Sequence, residues 1–204
     1  MKPDYSDSTG GRCEGMSAEL VVRKAVPDEE KLVVSFYEQI ISKRTEKDYK
    51  LWWNLDVYPT RADLTGAVRD GTMQIVLDDE HIIGAAILNR DQGDGYERIP
   101  WACTPEPEQI AVIHLVAVDP EQRGKGVGKT LMNHIISEAE KMGVRSLRLD
   151  TMPHYSSAIR LYEKTGFMKR GEVTLYYPTT GEAVFLMYEK SLPRLHSLDC
   201  QEGF

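Results

Sequence analysis

The stretch IAVIHLVAVDPEQRGKGVGKT, residues 110–130, decides the fold of this chain. Its first nine residues form an apolar run interrupted only by His114, which is typical of a β-strand covered on both faces. Three glycines follow within ten residues, and a helical repeat of apolar side chains then continues to Gly143. A strand that runs into glycines and then a helix presents unshielded backbone N–H groups at the positive end of the helix dipole. The stretch therefore predicts an anion site, with phosphate as the expected anion.

Spacing discriminates among three kinds of phosphate site. A nucleotide P-loop has four residues between its first glycine and the Gly-Lys-Thr, but only three separate Gly124 from Gly128. A dinucleotide fingerprint that began with Gly124 and Gly126 would need a third glycine where Lys129 stands. The pattern that remains is Arg-x-x-Gly-x-Gly, made by Arg123, Gly126 and Gly128.

With this pattern the sequence resembles the GCN5-related N-acetyltransferase (GNAT) family, in which the motif lies across the pyrophosphate of acetyl-CoA. The resemblance continues in AIRLYEKTGF, residues 158–167, which is similar to the family segment A-x-x-L-Y-x-x-x-G-F. The resemblance covers the chain from residue 20 to residue 190. The resemblance implies a mixed α/β fold with a central splayed sheet of about six to seven strands and helices on both faces. The cofactor would enter the splay between the fourth and fifth strands, residues 110–118 and 146–151.

Apolar patterns elsewhere in the chain are compatible with that fold. Helices are predicted after Pro27, at residues 61–69 and at residues 156–164, and residues 89–108 form a long irregular connection of the kind that is commonly functional. Further strands are predicted at residues 20–26, 73–77, 82–88, 167–173 and 183–189. We expect an N-acetyltransferase domain at residues 19–190, with tails at residues 1–18 and 191–204.

The resemblance also assigns the cofactor site by position. The backbone of Val116, Ala117 and Val118 would bind the pantetheine arm as an added strand would. The pyrophosphate would be held mainly by backbone amides, with the charges of Arg123 and Lys125 suited to phosphates. The turn assigned to this role comprises Arg123, Gly124, Lys125, Gly126, Val127, Gly128 and Lys129. Many relatives carry an asparagine before the next helix, where this chain has Tyr155, so the cofactor hydrogen bond of that asparagine is not expected here.

Catalysis in this family is direct attack of an amine on the thioester, which requires a proton acceptor and a proton donor. Tyr162 matches the family tyrosine that acts as general acid. Asp150 stands where some relatives carry a glutamate base, although it could instead pair with Arg148 on the same strand face. His114, on the neighbouring strand, is a second candidate base because imidazole titrates near neutrality, but a lone histidine in an apolar strand is commonly a core residue.

Aromatic residues are dense in the two regions that flank the acceptor side of the splay in this family. Nearby acidic residues give the acceptor side a negative field, so a cationic amine acceptor is expected. The alternative is that the tryptophans are core residues and the acids belong to a solvated loop. The aromatic set is Trp52, Trp53, Tyr58, Tyr96 and Trp101, with Trp53, Tyr58, Trp101 and His114 as candidate substrate residues. The acids are Asp56, Asp91, Asp94, Glu97, Glu106 and Glu108.

Composition excludes several classes of protein. The formal net charge of −7 is the wrong sign for a protein that binds nucleic-acid phosphates. No run approaches the roughly 20 apolar residues that cross a bilayer, and the polar first 15 residues do not read as a signal peptide, so a cytoplasmic protein is expected. Three distant cysteines and five histidines lack metal-ligand spacing, so no metal is expected.

Two hypotheses from different classes remain. The first is an acetyl-CoA-dependent N-acetyltransferase whose partner is a small-molecule or peptide amine, and Tyr162 favours it. The second is a catalytically idle acyl-CoA-binding module that senses the cofactor or serves a protein partner. The resemblance also allows a homodimer, although no segment of the sequence predicts one on physical grounds.

Overall fold

The computed structural model describes residues 20–43 and 53–193, which form one seven-stranded sheet with helices on both faces. The strand order is β1-β2-β3-β4-β5-β7-β6, and within the described chain only β4 and β5 are parallel neighbours. The helices are α1 (Glu30–Ser42), α2 (Arg61–Arg69), α3 (Val127–Lys141) and α4 (Ser156–Lys164). The strands are β1 (Val21–Lys24), β2 (Met73–Asp78), β3 (His81–Asn89), β4 (Ile110–Val118), β5 (Ser146–Thr151), β6 (Met168–Tyr177) and β7 (Gly181–Ser191).

The two sheet faces are covered by different helices. Helix α1 buries Val33, Phe36 and Tyr37, which recur at helical spacing, and packs with α2 on one face. Helix α3 packs with α4 on the opposite face, where Leu131 and Ile135 are fully buried. The mixed sheet with helices on both sides that the sequence predicts is confirmed.

A bulge in the middle of β4 sets the geometry of the sheet. Leu115 has a φ of 53°, and the pairing of β3 with β4 shifts register at this point. Before the bulge Ile113 packs against α3, whereas beyond it Leu115 packs against α1, so one extra residue reverses the alternation of faces. The buried Tyr37 hydroxyl donates a hydrogen bond to the Leu115 carbonyl oxygen at 2.7 Å and satisfies it.

β4 and β5 pair only over their first halves. The parallel ladder joins residues 110–113 to residues 146–149, and the second half of β4 pairs with β3 alone. The edge of Val116, Ala117 and Val118 that faces away from β3 therefore has no partner among the described strands. This is the splay predicted between the fourth and fifth strands.

Several element bounds differ from the predicted ones. β6 and β7 run to Tyr177 and Ser191, longer than predicted, because an exposed hairpin can pair its backbone without an apolar pattern. Leu192 is also buried, and its N–H donates to the Arg145 carbonyl oxygen. The structure does not describe residues 1–19 and 194–204, which include most of the expected tails. Trp52 also lies outside the described residues.

Glu189 of β7 is a fully buried carboxylate that holds the long connection between β3 and β4 against the sheet. It accepts hydrogen bonds from the backbone N–H groups of Ala102 at 2.9 Å and Cys103 at 3.3 Å. It also accepts from the Ser146 hydroxyl at 2.7 Å and from Arg170 Nε at 3.0 Å. Four donors around one carboxylate offset the cost of burying its charge.

Arg148 of β5 extends this network into the same connection. Its Nε donates to the Ser146 hydroxyl at 2.9 Å, and Nη2 donates to the Cys103 carbonyl at 3.1 Å. Nη1 donates to the Gln92 side chain, and the guanidinium lies 4.3 Å from the centre of the Trp101 ring. Both ends of the irregular segment are thus held to the central strands.

We expect Glu189→Gln to lower the free energy of unfolding by about 3 kcal/mol, because the amide nitrogen cannot accept from the donors and the arginine charges lose their partner. Denaturant unfolding monitored by circular dichroism measures the change. The matched control is Glu172→Gln, since that carboxylate is 54% exposed in a surface pair with Lys169. Equal stability of the two variants would show that the network does not hold the fold.

Candidate active site

The first turn of α3 offers backbone donors with no partner inside the helix. Gly126 precedes the helix with a φ of 87° and supplies no side-chain cap, and the first intrahelical bond runs from Thr130 N–H to the Gly126 carbonyl. The N–H groups of Val127, Gly128 and Lys129 therefore face outward at the positive end of a 15-residue helix. This arrangement suits a phosphate group.

The glycines of the turn serve different purposes. A Cβ on Gly126 would meet nothing within 4 Å, so the surface in front of the helix is open and the positive φ alone favours glycine. A Cβ on Gly128 would lie 3.1 Å from Leu161 and 3.6 Å from Val118, so this glycine lets α3 approach α4 and β4 closely. Gly124 also has a positive φ and open space.

The basic side chains of the turn lie at the surface. Arg123, Lys125 and Lys129 are all exposed, and Lys125 Nζ donates to the Gln122 side chain at 3.1 Å. They add positive charge beside the helix N-terminus. The backbone amides remain the donors with fixed direction.

Asp150 lies on β5 just beyond the last residue paired with β4, at the mouth of the splay. Its Oδ2 accepts a hydrogen bond from the Tyr96 hydroxyl at 2.9 Å. Burial raises the pKa of the carboxyl above the usual aspartate value, while the Tyr96 hydrogen bond and the nearby His114 oppose this shift. The alternative pairing with Arg148 does not occur, because Arg148 turns toward Ser146, Gln92 and Cys103.

Four phenols surround this carboxylate. Burial first, and then the Asp150 charge, raises the pKa of each of these tyrosines, which come from two loops, α4 and β6. They are Tyr58, Tyr96, Tyr162 and Tyr177. All four therefore stay protonated near neutral pH, as hydrogen-bond donors.

His114 of β4 is the second titratable group beside Asp150. Its Nε2 lies 3.0 Å from Asn89 Oδ1 and 3.1 Å from the Asp91 carbonyl oxygen. Both partners only accept, so Nε2 is assigned the proton and Nδ1 keeps a lone pair. Burial lowers the pKa of His114, against the attraction of Asp150, so the ring is neutral near pH 7.

Tyr162 of α4 is 5% exposed, with its ring centre 6.3 Å from those of both Phe167 and Tyr188. Burial and the Asp150 charge raise the pKa of its phenol. Tyr155 begins α4 without a side-chain cap and packs against His154, with 4.1 Å between ring centres. The structure thus brings Tyr162, Asp150 and His114 together around the splay.

The predicted aromatic residues occupy three different environments. Trp53 packs against Tyr37 beside α1, with 5.8 Å between ring centres, so it lies partly buried against the core. Trp101 donates from Nε1 to the Tyr96 carbonyl at 2.8 Å and covers Arg148, so its role is to support the loop. Tyr58 stacks on Tyr177, with 6.1 Å between ring centres.

A cleft of about 460 Å³ lies between α2, the end of β3 and the middle of β4, within the usual size range of ligand pockets. Among the described residues its lining contains three carboxylates and no lysine or arginine. Tyr58 and His114 line it, but Trp53 and Trp101 do not. The polar and charged lining residues are Tyr58, Asp63, Asp70, Thr72, Asn89, Asp91 and His114.

Metal-binding clusters and membrane-spanning helices are both absent from the part of the chain that the structure describes. Within residues 20–43 and 53–193, no three His, Cys, Asp or Glu side chains are placed to hold a metal ion. Across the same residues, no helix combines the length and apolar character needed to cross a membrane.

Comparison with known proteins agrees with this geometry. Residues 34–167 match the acetyltransferase (GNAT) family. The chain belongs to this family. Acetyl-CoA is the co-substrate of GNAT enzymes, and the amide-rich start of α3 and the open edge of β4 are suited to hold its phosphates and its extended arm.

The similar proteins include both enzymes and solved structures. Ribosomal protein bS18-alanine N-acetyltransferase of Escherichia coli (strain K12) is 41% identical over 97 residues, 48% of this chain and 66% of that protein. The chain thus spans just under two thirds of that relative. A GNAT acetyltransferase structure from Streptococcus agalactiae aligns with a TM-score of 0.69 at 21% identity, over 86% of this chain and 96% of that one. An acetyltransferase from Salmonella typhimurium, solved with acetyl-CoA, aligns with a TM-score of 0.60 at 16% identity, over 89% and 98%.

We expect Gly126→Asp to weaken acetyl-CoA binding at least tenfold in a protein that remains folded, because a side chain and a negative charge would stand where the pyrophosphate binds. Calorimetric titration measures the affinity. Gly143→Asp is the matched control, since Gly143 has a φ of 73°, equally open space and a position just beyond the other end of α3. Unchanged affinity in folded Gly126→Asp would contradict the assigned phosphate site.

Proposed function

We propose that this protein transfers the acetyl group of acetyl-CoA to a primary amine by direct attack of the amine nitrogen on the thioester. The nitrogen–carbon bond forms, the carbon–sulfur bond breaks, and coenzyme A leaves as its thiol. The observation that carries the proposal is the placement of Asp150, His114 and Tyr162 around the open half of the β4–β5 splay. A proton acceptor and a proton donor are thus present beside the open edge of β4.

Asp150 is the proposed general base. A carboxylate whose pKa is raised by burial holds a proton more strongly than a surface aspartate, which suits it to remove one from the acceptor ammonium, so that the free amine can attack. His114 is the alternative base, because its neutral ring keeps a lone pair on Nδ1. Bulk water is the remaining acceptor if neither side chain serves.

Tyr162 is the proposed general acid. Its buried phenol is protonated near neutral pH, which is the form that can donate to a departing thiolate. Two observations support this role: its neighbour on α4, Leu161, lies close to Gly128 at the start of α3, and the charge of Asp150 acts on the Tyr162 phenol.

The acidic cleft is the proposed acceptor site, and its charge supports a cationic amine. Asp63, Asp70 and Asp91 would attract an ammonium group, while His114 borders the reaction centre. The name of the Escherichia coli relative supports the α-amino group of a peptide as one acceptor class for this chain. Amine-dependent release of coenzyme A across a panel of peptides and small amines tests the proposal. Cofactor binding without amine-dependent release would favour the non-catalytic acyl-CoA-binding module.

We expect Tyr162→Phe to lower kcat by roughly 10- to 1000-fold with little change in acetyl-CoA affinity, because the ring stays and only the donor is lost. Steady-state kinetics and calorimetry measure the two quantities. Tyr188→Phe is the matched control, since this neighbouring ring is equally buried and its hydroxyl bonds to Glu163. Equal loss of affinity and turnover in Tyr162→Phe would indicate a structural tyrosine.

The pH profile should identify the base. If Asp150 must be unprotonated to act, turnover falls as pH drops through its pKa, and this acid limb lies above the usual aspartate range. Asp150→Asn should remove that limb and most of the activity. Persistence of the limb in Asp150→Asn, together with its loss in His114→Gln, would instead assign the base to His114.

A further inference from the structure

Tyr96 lies between the buried network around Glu189 and the mouth of the splay. It begins a short 3-10 turn in the loop between β3 and β4, and it is only 3% exposed. Its hydroxyl donates to Asp150 Oδ2 at 2.9 Å, across a sequence separation of 54 residues. Tyr96 of the loop therefore contacts the proposed base directly.

We propose that Tyr96 is the positioning residue for the general base, fixing one carboxylate oxygen of Asp150 so that the other faces the acceptor. This inference rests on the proposed function. A carboxylate on a strand otherwise rotates about its terminal torsion, which is a broad, roughly two-fold well. A hydrogen bond to Oδ2 selects one orientation and leaves Oδ1 as the proton acceptor.

The position of Tyr96 is itself tightly determined. Gly95 has a φ of 84°, and a Cβ there would lie 2.8 Å from Val173 and 2.9 Å from Leu175, so the loop packs against β6 at a point only glycine allows. On its other side, Trp101 donates from Nε1 to the Tyr96 carbonyl, and the two ring centres are 5.5 Å apart. The backbone that carries the Tyr96 hydroxyl is therefore held on both sides.

This support is continuous with the buried network. Trp101 lies over Arg148, and Arg148 bonds to Ser146 and to the Cys103 carbonyl. Glu189 completes the chain by binding the backbone that directly follows Trp101. The contacts thus run without a gap from the centre of the sheet to the Asp150 carboxylate.

Titratable groups on several neighbouring elements interact electrostatically with Asp150, but among the described side chains only Tyr96 donates a hydrogen bond to it. The others are His114 on β4, Tyr162 on α4, Tyr58 ahead of α2 and Tyr177 on β6. A hydrogen bond to the charged form of an acid stabilises that form. Removal of the Tyr96 hydroxyl should therefore raise the pKa of Asp150 still further.

The test is Tyr96→Phe, which keeps the ring and its packing. We expect the acid limb of kcat/KM, and the Asp150 carboxyl titration followed by carbon-13 NMR, to move upward by about one pH unit, as loss of a charge-assisted hydrogen bond predicts. Tyr177→Phe is the matched control, because its phenol senses the Asp150 charge without bonding to it, and neither readout should move.

An unmoved limb and titration in folded Tyr96→Phe would overturn the proposal. If Tyr96→Phe unfolds, Trp101→Phe serves in its place, since it removes the indole donor to Tyr96. We expect it to shift the acid limb and the Asp150 titration in the same direction. Unmoved values of both would again overturn the proposal. The NMR titration needs no turnover. Absence of amine-dependent turnover in the unsubstituted protein would contradict the proposed function, whereas normal turnover with an unmoved titration in Tyr96→Phe would contradict only the role of Tyr96.

Discussion

The separation of β4 from β5 beyond Ile113 is the constraint on which the site depends. Two parallel strands in one sheet would pair along their length, and the bulge at Leu115 prevents this by reversing the faces of β4 halfway along. The Tyr37 hydroxyl satisfies the Leu115 carbonyl oxygen at the bulge. The open second half of β4 then supplies both an unpaired backbone edge and room for Asp150.

Two carboxylates on neighbouring strands, Glu189 and Asp150, have different surroundings, which suit one to stabilise the fold and the other to transfer protons. Glu189 accepts four hydrogen bonds from donors on one loop and two strands, and it holds those elements together. Asp150, on the strand next to it, receives one hydrogen bond from a described side chain and is surrounded by neutral phenols. Asp150 can accept further hydrogen bonds, and burial raises its pKa, so it is available for proton transfer.

The sequence predicts the elements whose patterns lie within one continuous stretch of the chain. The apolar run of β4, the glycine turn and the helical repeat of α3 predict the phosphate site directly, because strand, turn and helix are consecutive in the chain. The supporting network escaped prediction, since Glu189 reads as a polar residue at a strand end and meets Ala102 across 87 positions. The sequence indicates Tyr96 only as an aromatic residue of the loop, and it leaves Trp53 and Trp101 open between a role in the acceptor site and a place in the core. Nothing local in the sequence distinguishes a ring that lines a pocket from one that supports a loop.

The central claim is that the splay and the start of α3 together bind acetyl-CoA. Its most direct test is a nitrogen-15 NMR titration with coenzyme A, in which each backbone amide reports on its own surroundings. We predict the largest shifts at Val127, Gly128 and Lys129 and along Val116 to Val118, with little change at Gly181 at the start of β7. Saturable binding that left both of these segments unperturbed would contradict the account.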